Sequence, residues 1–107
     1  MNTRSSNDSI AIAWFQENEV DFHQWSNKPN TEYEWHEHKY HKVLFCIKGS
    51  INFFINDDVY TLSAGDRLDL PNSTLHKAVV LEHGVTCIEG AVTSFKNSVL
   101  QITKFIE

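Results

Sequence analysis

From residue 34 to residue 92 the chain is a succession of short apolar runs broken by turn residues, and this pattern limits the fold more than any other feature. The runs are Glu34–Lys48, Ile51–Ile55, Val59–Leu62, Arg67–Leu70, Leu75–Leu81 and Val85–Val92. Between them stand Gly49-Ser50, Asn56-Asp57-Asp58, Ala64-Gly65-Asp66, Pro71-Asn72-Ser73 and His83-Gly84. Each of these favours the tight or left-handed backbone of a turn. Strands of this length with turn signals every eight to twelve residues or so predict an all-β sandwich or barrel.

The first run says more about layering. Its even positions carry His36, His38, Tyr40, Lys42, Leu44 and Cys46, and its odd positions carry Trp35, Val43, Phe45 and Ile47. Side chains alternate between the two faces of a strand. Both faces are apolar in the second half, so neither meets water. One lines the barrel interior, on parity with Leu68, Leu70, Ala78 and Val80. The other needs a cover: a second sheet, the N-terminal segment, or another subunit. A subunit contact is the expectation, consistent with the limited surface that a chain of 107 residues buries alone. The predicted partners are therefore a homodimer mate and a small-molecule ligand.

The flanks are less regular. Residues 1–9 read as a polar tail. Ile10–Phe15 is too short to assign to helix or strand. Trp14, Phe15, Phe22 and Trp25 suggest a strap over the barrel. At the other end Leu100, Ile102 and Ile106 alternate, whereas Phe95, Val99, Ile102 and Ile106 have helical spacing, and a strand or irregular strap is the expectation. The whole, 1–107, reads as one domain with its core at about 30–92.

Composition excludes several classes of partner. The formal charge is −5, from 14 acidic and 9 basic residues, and the basic residues are scattered singly. Nucleic-acid binding needs clustered cations, so it is set aside. No apolar run approaches membrane-spanning length, and the first residues lack a signal core, so the expected location is cytoplasmic. Cys46 and Cys87 lie in apolar runs and read as buried thiols.

Three of the six histidines fall in the stretch Trp35-His36-Glu37-His38-Lys39-Tyr40-His41. On a strand His36 and His38 share a face and can chelate one ion. His76, on parity with Ala78, is the best third ligand. His41 points outward on a regular strand, but a bulge would bring it in as a fourth ligand. Glu89, on parity with Cys87, is a weaker candidate for the same pocket. Its other expected members are Tyr40, Lys42, Leu44, Cys46 and Ala78. His23 and His83 read as ordinary surface groups.

These residues resemble the two motifs of the cupin superfamily. The first motif is HxH, three or four residues, Glu, six residues, Gly, matched by His36, His38 and Gly49 with Lys42 in the Glu place. In the second, Gly65 and Pro71 match, Ser73 stands in a Gly place, His76 in the His place and Val80 in an Asn place. The resemblance covers about 34–92. It implies a double-stranded β-helix, or jelly roll, holding a divalent metal such as Zn, Fe, Ni or Mn on His36, His38 and His76. It does not carry over the carboxylate. Cupins with three histidines and no carboxylate exist, thiol dioxygenases among them.

An ammonium about 4 Å from a dication is repelled by roughly 8 kcal/mol at an effective dielectric near 20. A protonated Lys42 beside the metal therefore requires a compensating anion. Otherwise Lys42 turns away, or holds an anionic substrate, or the site has lost its metal. Two functions follow: a small metal-dependent enzyme of oxygenase or isomerase type, or a noncatalytic binding or sensing module. The residues do not choose between them.

Overall fold

The structure, a computed structural model, describes residues 6–92 and 99–106. Helix α1 (Asn7–Glu17) precedes β1 (Phe22–Asn27), β2 (Glu32–His36), β3 (His41–Ile55), β4 (Asp58–Ser63), β5 (Asp66–Leu70), β6 (His76–Val92) and β7 (Gln101–Lys104). The arrangement is the expected jelly-roll barrel.

Two long strands build both halves of it. The first part of β3, His41–Cys46, pairs with Cys87–Val92 of β6 on one side and with β5 on the other. The second part, Ile51–Ile55, pairs with His76–Val80 and with β4. Strand β1 extends the first half beyond β6, and β7 extends it beyond β5; β2 extends the second half. The expected turns at Gly49-Ser50 and His83-Gly84 are therefore not chain reversals. They are bends within continuous strands, and the register shifts there. Gly49 (φ +71°) and Gly84 (φ +74°) face each other so closely that a Cβ on Gly49 would lie 1.9 Å from the Gly84 carbonyl oxygen. Only glycine permits that approach with that backbone.

The expected first strand is also divided. It ends at His36 and resumes at His41, leaving residues 37–40 as a connection. At the C-terminus β7 is the anticipated strand, antiparallel to β5; Phe95 lies outside the described residues.

Two apolar clusters lie on opposite faces of β3. The interior cluster includes Leu44, Cys46, Ile51, Leu62, Leu68, Leu70, Ala78, Val80 and Cys87. The outer cluster joins Val43, Phe45 and Ile88 to Ala11 and Phe15 of α1. Of the covers considered for this face, the N-terminal segment is the one that lies on it. It does so as a helix, against the reading of residues 1–9 as a tail, since Asn7–Ser9 form its first turn. Residues 1–5 lie outside the described residues. The helix starts after Ser6, whose hydroxyl bonds Asp8, and the acidic Asp8 suits the positive end of the helix dipole. Ala11 and Phe15, four apart, form its buried stripe. Over the same face Arg67 makes a double hydrogen bond to Asp69 (3.0 and 2.9 Å) and stacks on Trp14.

Among the described residues no helix is long and apolar enough to cross a membrane.

Candidate metal centre

Three histidines meet at one end of the barrel interior. His36 ends β2 and stands opposite His76, which begins β6. His38 follows in the connection to β3, which is pinned where the Ser73 amide donates to the His38 carbonyl at 2.7 Å. Ser73 takes the left-handed conformation (φ 61°) at the turn before β6. The turn that launches His76 thus also sets the height of His38. Ring centroids are 4.9 Å apart for His36 and His38, 4.3 Å for His36 and His76, and 5.3 Å for His38 and His76. One nitrogen from each ring falls within 4.8 Å of the others.

The hydrogen bonds determine which nitrogens carry lone pairs. His36 Nδ1 lies 2.5 Å from the Glu34 carbonyl oxygen, and His76 Nδ1 lies 2.8 Å from that of Thr74. A carbonyl only accepts, so both Nδ1 atoms donate and each Nε2 keeps its lone pair. His38 Nδ1 meets the Tyr40 hydroxyl at 3.1 Å. His38 Nε2 is buried and has no hydrogen-bond partner among the described residues. A buried polar atom left in this way is costly unless something else engages it. Burial, then the nearby Lys42 charge, pushes the His38 pKa down to about 4. Burial likewise lowers that of His76. Both rings are held neutral, the form in which imidazole binds a metal. The donor set and its tautomers fit a divalent ion.

A cavity of about 270 Å³ adjoins the histidines. Its apolar wall includes Leu44, Ile51, Phe53 and Ala78. Its polar part is a linked group. Lys42 Nζ is 3.1 Å from Glu89 Oε2, and the Trp25 indole N–H donates to Glu89 Oε1 at 2.6 Å. The Asn27 amide donates to the Tyr33 hydroxyl beside them.

Of the residues anticipated for this pocket, Lys42, Leu44 and Ala78 line it. Tyr40 instead stacks on His38 at 5.0 Å between centroids, and Cys46 lies deeper in the core, paired across the strands with Cys87. Both cysteines are free and fully buried, and the Cys87 thiol is pushed up by its hydrogen bond to Cys46 and by burial. His41 is not part of the histidine group. It shares a face with Val43 and Phe45, and its Nε2 is 3.4 Å from Asp69 Oδ1. No bulge turns it inward.

Trp25, Asn27 and Tyr33 were not anticipated in the cavity. They come from β1 and β2, whose pairing with β6 no local pattern discloses. Ile51 and Phe53 were readable from alternation, as was Glu89 from its parity with Cys87.

Solved structures with this fold include a cupin-2 domain protein of Shewanella frigidimarina, with TM-score 0.58, 23% identity and coverage of 67% of this chain and 69% of the other. A cupin superfamily protein of Desulfitobacterium hafniense has TM-score 0.63 at 13% identity, covering 70% and 68%. The oxalate decarboxylase of Bacillus subtilis, a protein with Mn(II) centres, has TM-score 0.58 and 21% identity over 78% of this chain. The chain spans only 24% of that enzyme. At these identities the likeness establishes fold alone. No functionally curated protein matches the chain in sequence. The profile of the AraC-like ligand binding domain matches residues 22–86, more than half of the chain. With the motifs, the barrel and the histidine group in agreement, the chain belongs to the AraC-like ligand binding domain family, within the small cupins.

Proposed function

We propose that this protein binds one divalent metal ion on His36, His38 and His76 and uses it to hold a small ligand in the adjoining cavity. The observation that carries the reading is the buried, unpartnered Nε2 of His38, grouped with two histidines whose Nδ1 atoms are committed to carbonyls. A divalent ion there would supply Lewis acidity to a ligand carbonyl or carboxylate oxygen, with positions left open for it by a three-ligand set. The metal of the Mn(II)-containing oxalate decarboxylase supports the reading by analogy of fold.

The cavity, at about 270 Å³, lies just below the usual range of roughly 300–1,000 Å³ for drug-sized ligands. The ligand is accordingly small. Its apolar part packs on Leu44, Ile51, Phe53 and Ala78, which exclude water from the bound face. An anionic oxygen on the ligand is favoured by the metal charge, because Lys42 is already engaged by Glu89.

A second reading has its own support. The family is described by ligand binding, not by a reaction, so the same cavity acts as a binding or sensing module without turnover. Metal analysis of protein purified without a His tag tests the first point: near-stoichiometric metal, lost in the double substitution His36→Ala/His38→Ala, is expected. Protein that takes up neither Fe(II), Zn(II) nor Mn(II) on titration overturns it. Oxygen uptake by the Fe(II) form with small thiols and carboxylates separates turnover from binding.

A further inference from the structure

We propose that Glu89 is the carboxylate of this site, supplied from β6 in place of one on β3, and that it works by cancelling the charge of Lys42 instead of by coordination. The inference rests on the three-histidine metal reading above.

The place on β3 from which a cupin carboxylate would come holds Lys42, and its stem points into the same cavity as the histidines. An uncompensated ammonium there opposes any dication. Glu89 stands in the neighbouring strand, opposite Leu44 and on the interior face. Its side chain is 11% exposed and that of Lys42 is 12%, so water screens the pair weakly. Trp25 from β1 donates to one carboxylate oxygen and Lys42 from β3 to the other. Glu89 on β6 is thereby tied to β1 and β3, with both oxygens engaged and Lys42 held against it.

Both charges reach the histidines. Lys42 and Glu89 line the same cavity as His36, His38 and His76. A cation bound between these rings is repelled by the ammonium and attracted by the carboxylate. Glu89 is not among the three residues whose donor atoms cluster, and its oxygens are already occupied. Its part is that of a positioning residue, acting through Lys42.

A double-mutant cycle on Co(II) binding to the otherwise intact chain tests this, with affinity read by competition against a chromophoric chelator and coordination read from the visible spectrum. Glu89→Gln should weaken binding by about tenfold to a hundredfold, as loss of an outer carboxylate does elsewhere, with the spectrum unchanged. Lys42→Met should tighten binding, and Lys42→Met/Glu89→Gln should return it to near the wild-type value. Equal affinity of Glu89→Gln and wild type overturns this inference and leaves the histidine site standing. A double variant as weak as Glu89→Gln, or a changed spectrum, shows direct coordination and also overturns it. If Glu89→Gln does not fold, Lys42→Met alone decides, and unchanged affinity refutes the proposal. Wild-type protein that binds no Co(II) removes the histidine reading, and this inference with it.

Discussion

Replacing Phe15 with alanine should destabilise the protein by about 4 kcal/mol while leaving the histidine site intact. Phe15 is fully buried between α1 and the outer face of β3. Its ring contacts Trp14 at 5.2 Å, Phe22 at 5.4 Å and Phe45 at 5.4 Å between centroids. Burial of a phenylalanine is worth roughly 2–3 kcal/mol, and the cavity left behind and the lost aromatic contacts raise the total toward the ~3–5 kcal/mol of core Phe→Ala changes. A domain of this size is stable by only about 5–15 kcal/mol. The loss should therefore lower the melting temperature by roughly 15–30 °C. Urea unfolding followed by tryptophan fluorescence measures it. Metal affinity of the folded variant should equal that of wild type, because Phe15 and the histidines lie on opposite faces of the sheet. A loss below about 1 kcal/mol would refute the assignment of α1 as the cover of this face and return that role to another subunit.

The remaining predictions concern charge and backbone. His38 and His76 have pKa values lowered by burial, His38 to about 4 from an ordinary 6.5. The unfolded chain then binds protons more readily than the native one, so stability of the metal-free protein should fall as pH drops from about 6.5 toward 4 and be level above that window; a urea midpoint flat across it would contradict the burial of these rings. Asp69→Asn should cost about 3 kcal/mol in thermal or urea unfolding, since Asp69 is 1% exposed and holds the forked Arg67 guanidinium. Gly49→Ala should prevent stable folding, because its Cβ would collide with the Gly84 backbone at a left-handed position; cooperative unfolding near the wild-type midpoint would show that the bend is laxer than described.

Much of the site was legible in residue order. His36, His38 and His76 were singled out by parity and motif spacing, and the interior residues Leu44, Ala78 and Val80 by alternation. What failed was local continuity. Gly49-Ser50 and His83-Gly84 resemble turns, because turn and bend use the same left-handed glycine. Whether the chain reverses depends on β6 pairing along both parts of β3, which is a long-range matter. Ile10–Phe15 was ambiguous for the same reason: most helical stability comes from packing of a buried stripe, and here that stripe is Ala11 and Phe15 on Val43, Phe45 and Ile88.

Lys42 divides the two sources of information most clearly. From the sequence alone came the strand pattern, the shared face of the histidines, and the physical requirement that a cation at this position needs an anion if a metal is to sit nearby. Only the tertiary structure decided which anion. Glu89 is 47 residues away along the chain, yet strand pairing sets its carboxylate 3.1 Å from the ammonium, with Trp25 of a third strand on its other oxygen. Periodicity is a property of neighbours along the chain and assigns each side chain to a face. Which faces meet is decided by hydrogen bonding between distant strands, and the electrostatics of the pocket depends on that meeting.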